Sequence, residues 1–243
     1  MALTAYETAT QQLLQVPAAP VSLYSTASID GWINSARNQL AGEGECVRVL
    51  ATLSTAVGVR NYNFSSIGGL PAAVQSVLHV RAITYSIASG QKWVQTHPWQ
   101  WFNFYYLNNV TPVNGPPVRW SQFGQGVLGS FYLDPPPDAI YTLNLDCVCL
   151  PITLVSDGTA EAIPYPWTDA VPYFAAYLAL LSAQSPARTA DADRMMQRYE
   201  LFMGRARQFS NPDVLRTEYL QSVDETVTNK LGLQAAGGGG GGG

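Results

Sequence analysis

The sequence predicts an α+β protein. N- and C-terminal helices form a helical bundle, an antiparallel β-sheet or sandwich domain is inserted between them, and an extended C-terminal arm completes the chain. Three observations predict this. Apolar residues recur at helical spacing near both ends of the chain. The middle alternates in short β-branched and aromatic runs punctuated by Gly, Pro and Asn. The periodicity fades after Phe209. Helices at opposite ends cannot bury their apolar faces separately, so in one domain they meet.

The first helix is expected over residues 4–15, with Thr4 and Glu7 at capping-box spacing and Pro17 beyond its end. The second carries Ile29, Trp32, Ile33, Ala36 and Leu40 on one face. Thr26 or Ser28 is its expected cap, and Gly42 and Gly44 its stop. Strands are then expected over 47–59, 60–64, 74–87 (one or two), 92–96, 99–107, 118–123, 127–133 and 140–154. Helix returns near Thr168 or Asp169, with Pro172 in the first turn, and runs to about Gln184. Ser185 and Pro186 open the last helix. Its stripe is Met195, Tyr199, Phe202, Ala206 and Phe209, and Arg194, Arg198, Arg205 and Arg207 lie off it, on a solvated face or, as the alternative, against an acidic neighbour. The expected division is 1–45 for the first helices, 46–160 for the β-rich insertion, 161–210 for the helical hairpin and 211–243 for the arm. The arm ends in seven glycines, which build no core.

Charge is scarce. Charged residues make up 12% of the 243, against about 25% in ordinary soluble domains. Hydrophobic residues reach 47%, which excludes disorder for most of the chain. The net charge of −4 argues against a protein that grips phosphates. No apolar run has the length of a membrane span, and the N-terminus does not read as a secretory signal. The shortage has a location. Between Cys46 and Leu133 there is no Asp or Glu, while Arg48, Arg60, Arg81, Lys92 and Arg119 fall there. Such a surface suits burial against other chains, where charged residues are depleted.

No catalytic signature is present: no nucleophile elbow, phosphate loop, dinucleotide loop or zincin motif. Catalytic, cofactor and metal residues are therefore expected to be none, and the protein is not expected to be an enzyme. His79 and His97 read as structural. Asp134, Asp138 and Asp146 are the residual carboxylates for glycosidase-type chemistry, but the first two flank three prolines in a loop. Cys46, Cys147 and Cys149 lack the short spacings of zinc sites and read as small buried hydrophobes in a reducing compartment.

The densest constellation is aromatic: Trp93, Trp99, Trp101, Phe102, Phe104, Tyr105 and Tyr106. On a strand Trp99, Trp101 and Tyr105 share one face. Core or protein interface is the first reading. A platform that stacks on sugar rings, making the protein a glycan-binding module through Trp99 and Trp101, is the alternative.

Three further stretches carry a resemblance. They are INSARNQLAGEGECVR from Ile33 to Arg48; YLDPPP from Tyr132 followed by YTLNL from Tyr141; and IPYPW from Ile163, with ADAD from Ala190 leading through Arg207. In this order they resemble the head-to-tail adaptors of short-tailed double-stranded DNA phages, also called gatekeeper or tail tubular protein A. The resemblance implies a structural virion protein at the head–tail junction, assembled in the host bacterial cytoplasm. It implies a homo-oligomeric ring, twelve-fold in similar adaptors, that docks under the portal protein, extends the DNA channel and offers a platform to the tail nozzle protein. Double-stranded DNA would pass through the lumen without specific binding, and no membrane is involved. The C-terminal arm would reach the portal, with Arg216, Tyr219 and Leu220 as anchors, since Tyr and Arg are favoured at hot spots. Another tail protein, of nozzle or baseplate type, fits the paired C-terminal helices less well.

Overall fold

A computed structural model describes residues 1–15, 24–88, 90–108, 112–183 and 188–210. The chain runs α1 (Leu3–Leu14), α2 (Thr26–Gly44), β1 (Arg48–Ser54), β2 (Asn61–Asn63), β3 (Val74–Ile87), β4 (Gly90–Thr96), α3 (Trp99–Phe102), β5 (Arg119–Phe123), β6 (Ser130–Asp134), β7 (Thr142–Pro151), α4 (Val171–Ser182) and α5 (Thr189–Ser210). A π-helical turn, Asn103–Leu107, extends α3. The fold class is α+β.

The helices lie where the apolar spacing put them, but their caps differ. Thr4 and Glu7 form no capping box. The helix starts at Leu3, and the Thr4 amide and hydroxyl donate to Asp157, at 2.8 and 2.7 Å. A carboxylate from a distant loop takes the place of the local box. Ser25, not Thr26 or Ser28, caps α2 by accepting from the Ser28 amide. Glu45, in the left-handed region at φ 49°, closes α2 after Gly44. Pro172 sits in the first turn of α4. Ser185 and Pro186 lie outside the described residues.

Helix α4 packs against α1, α2 and α5. Half of its six buried residues, from Val171 to Leu180, are alanine, which lets three helices approach closely. On α5, Tyr199 and Ala206 are buried and Phe202 half-buried, as the stripe predicts. Phe209 departs from it and is exposed, its ring lying 5.9 Å from Trp167. One apolar cluster joins Leu3, Ile33 and Tyr199 of the helices to Leu145, Ile83 and Phe131 of the strands.

The middle is one curled seven-stranded sheet, ordered β1-β7-β3-β4-β5-β6-β2. Residues 74–87 form a single strand, β3, with register shifts at three points. The expected antiparallel sheet is instead mixed, because β4 and β5 pair in parallel, Gln95 with Arg119 and Thr96 with Trp120. The cause is residues 99–107, expected as a strand and found helical. A parallel pair requires a crossover, and this helical segment supplies it. The residues 127–133 divide between a 3-10 turn, Gly126–Leu128, and β6.

Glu7 on α1 faces Asp30 on α2. Burial, a hydrogen bond with Asp30 and repulsion from Asp30 and Asp157 push its pKa up to about 6. A raised folded-state value means that the favourable contribution is complete below the ordinary value and is lost as pH rises through 6. Glu7→Gln, which fixes the neutral form, is expected to raise Tm at pH 7.5 by about 1–3 °C for this half-solvated pair. At pH 4 it should change nothing. Paired thermal melts at the two pH values check this.

Candidate interaction surfaces

Four arginines lie in the acid-free middle, and the fold brings each to an acid from just outside it. Arg48 pairs with Asp146, and Arg81 with Glu45. Arg60 and Arg119 both reach Asp134, at 3.4 and 3.5 Å. Burial pushes the Asp134 carboxyl above its ordinary value, against the pull of the two guanidiniums. Over residues 46–160 five bases meet four acids, so the β-rich region is close to electrically neutral as well as poor in charge.

The three residual carboxylates are all engaged structurally. Asp134 and Asp146 hold arginines, and Asp138 accepts from the Tyr141 hydroxyl at 2.7 Å. His79 lies 3.6 Å from Glu45, and burial lowers its pKa. His97 stacks on Trp101 at 4.5 Å, and burial and Arg119 lower its pKa. The three cysteines are unpaired and buried. Burial pushes the thiols of Cys46 and Cys147 up to about 12 and that of Cys149 to about 11, so they are not thiolates at neutral pH. Among the described residues, no group of three or more His, Cys, Asp or Glu side chains could hold a metal ion.

The aromatic segment forms a short helical spur beside β5. Because it is helical, Trp99 and Trp101 do not share a face. Trp99 turns to the sheet, with its ring 4.8 Å from Phe123 and 4.9 Å from Tyr132. Trp101 packs between His97 and Tyr105, and Phe102 is buried. Arg119 lies over the Tyr106 ring at 4.8 Å. The single sugar-stacking platform of Trp99, Trp101 and Tyr105 is thus not formed. Phe104 and Tyr105 face outward, 67% and 58% exposed, with the Tyr105 ring 5.0 Å from that of Trp101. The steps of 3 and 4 from Trp99 through Phe102 to Tyr106 are a helical signature already present in the sequence.

A polar hub that the sequence did not single out ties the helices to the segment after β7. Arg37 of α2 is fully buried. Its Nη2 and Nε donate to Glu161, at 2.7 and 3.0 Å, and its Nη1 to the Asn34 side chain and the Ile152 carbonyl, at 3.0 and 2.8 Å. Glu161 also accepts from the Tyr6 hydroxyl and the amides of Ala162 and Ile163. Asn34 bonds both the amide and the carbonyl of Leu154. The signal was an arginine between Ala36 and Leu40 on an otherwise apolar helix face.

Arg37 and the Asp134 turn lie in stretches that carry the adaptor resemblance, and a comparison of the whole chain with known families agrees with it. The family model of the SU10 adaptor protein matches residues 3–218. The chain belongs to that family. No curated protein gives a significant match.

As an SU10 adaptor the chain is a phage head-to-tail adaptor and a structural component of the virion, in a family that assembles with phage portal and tail proteins. The family match runs from α1, through the whole sheet, past the end of α5. The hub and the neutral β surface are both features of the SU10 adaptor region and not of an appended module. No helix among the described residues is long and apolar enough to cross a membrane. Of the residues expected to meet partners, Trp99 lies against the sheet and Trp101 at the surface. Arg216, Tyr219 and Leu220 lie outside the described residues.

Proposed function

We propose that this adaptor forms a closed ring of about twelve copies under the portal, lengthens the DNA channel and carries the tail nozzle. The family match over residues 3–218 carries this reading. The neutralised β region supports it, since obligate interfaces are large and core-like, at about 2,000 Å² or more. In this reading residues 46–160 supply the lateral contacts, with Trp101, Phe104 and Tyr105 at the rim. Residues 1–45 and 161–210 form the helical bundle around the ring. The arm, 211–243, reaches the portal through Arg216, Tyr219 and Leu220. At −4 per copy, the ring has an acidic total charge. Like charge keeps a duplex from adhering to the conduit it passes through. The protein does no covalent chemistry.

Electron microscopy of the purified protein, alone and mixed with the portal protein of its own phage, tests this. Rings stacked coaxially on the portal are expected. Absence of a ring in both samples overturns the reading.

A further inference from the structure

The outward face of β1, β7, β3 and β4 ends in a groove of about 530 Å³. Strand register builds it. Thr52, Asn144, Thr84 and Trp93 stand in one row across the four strands, and Leu50, Asp146 and Ala82 in the next. Their neighbours in sequence, such as Leu53, Leu143, Ile83 and Val94, point into the core. Leu50 is 79% exposed and Trp93 59%, so large apolar side chains stand on the solvent side of this sheet.

The chain leaves α5 at the rim of that groove. The Ser210 carbonyl accepts from Arg48 Nη1 at 3.0 Å and from Arg81 Nη1 at 3.2 Å, and Arg48 is itself a wall of the groove. The segment after Ser210 has the right length and chemistry to fill it. Four strands span about 14 Å, which about five extended residues cross. Residues 211–220 read NPDVLRTEYL. Pro212 is a residue that does not continue a helix. Val214, Leu215, Tyr219 and Leu220 supply the apolar side chains that Leu50, Ala82 and Trp93 would meet.

We propose that residues 211–220 dock in this groove on their own chain before assembly. Docking holds Arg216, Tyr219 and Leu220 away from any partner until one displaces them. The contact is intramolecular and stands apart from ring formation, so it exists whether or not the protein binds a portal.

Limited trypsin digestion of the full chain, with mass spectrometry to quantify cleavage after Arg216, tests it. Cleavage in the native protein should be slow and its rate constant independent of protein concentration. Leu50→Asp and Thr84→Arg, both at positions on the outward face, should each speed it about tenfold, equivalent to about 1.4 kcal/mol of docking. Leu128→Asp, exposed elsewhere, should leave it unchanged, and all three variants should melt within a few degrees of the native protein. Equal cleavage rates in all four proteins overturn the proposal. Protection that grows with concentration also overturns it, because the occupant is then the arm of another copy.

Discussion

Arg37→Ala is expected to lower stability by about 3–5 kcal/mol, measured by urea or thermal unfolding. The substitution strands Glu161, whose side chain is 7% exposed, with no cation beside it. It also takes the Arg37 donor from the Ile152 carbonyl and one of two donors from the Asn34 side-chain oxygen, which keeps the Leu154 amide. Arg37→Lys should recover little. A lysine is a point charge and cannot bond Glu161, Asn34 and Ile152 together as the guanidinium fork does. The loss should depend on pH. Burial alone would raise the Glu161 carboxyl, but Arg37, the Ile163 amide and the Tyr6 hydroxyl outweigh it and hold its pKa below the ordinary value. A depressed folded-state value gives stability that is present above the ordinary carboxylate value and is lost as pH falls through the folded value. In the variant burial dominates, so Glu161 is easier to protonate. The stability gap between native and variant should therefore narrow between pH 7 and pH 4.

Deleting residues 211–243 is expected to weaken portal attachment by about thirtyfold or more, as loss of one hot spot worth about 2 kcal/mol requires. Co-sedimentation with the portal protein across a concentration series reads this directly. The fold should survive, with a Tm change of about 2–4 °C. The described core closes before this segment begins: Ala206 is buried, and Arg207 and Ser210 bond the carbonyls of Glu43 and Gly44 at the end of α2. Unfolding of the truncated chain would show that the arm belongs to the core. Full portal binding by a folded truncation would move the contact to the body of the protein.

Local pattern determined much of this molecule. The spacing of Ile29, Ile33, Ala36 and Leu40 fixes the buried face of α2, and the β-branched alternation fixes most strands, because burial enforces periods of 3.6 and 2 whatever the neighbours are. The missing charge between Cys46 and Leu133 was legible as composition. Tertiary structure alone decided what that charge pattern means. Strand order carries Asp146 to Arg48 and Asp134 to both Arg60 and Arg119, pairings across long stretches of chain that no local spacing encodes. It set the helical aromatic run as the crossover between β4 and β5, with Phe102 buried and Trp99 packed on Phe123 and Tyr132. It placed an arginine inside a helix contact, where Glu161 arrives from another part of the chain to pair it. And it set the end of α5 beside an exposed sheet face. Periodicity reports which side of an element is buried; only packing reports what buries it.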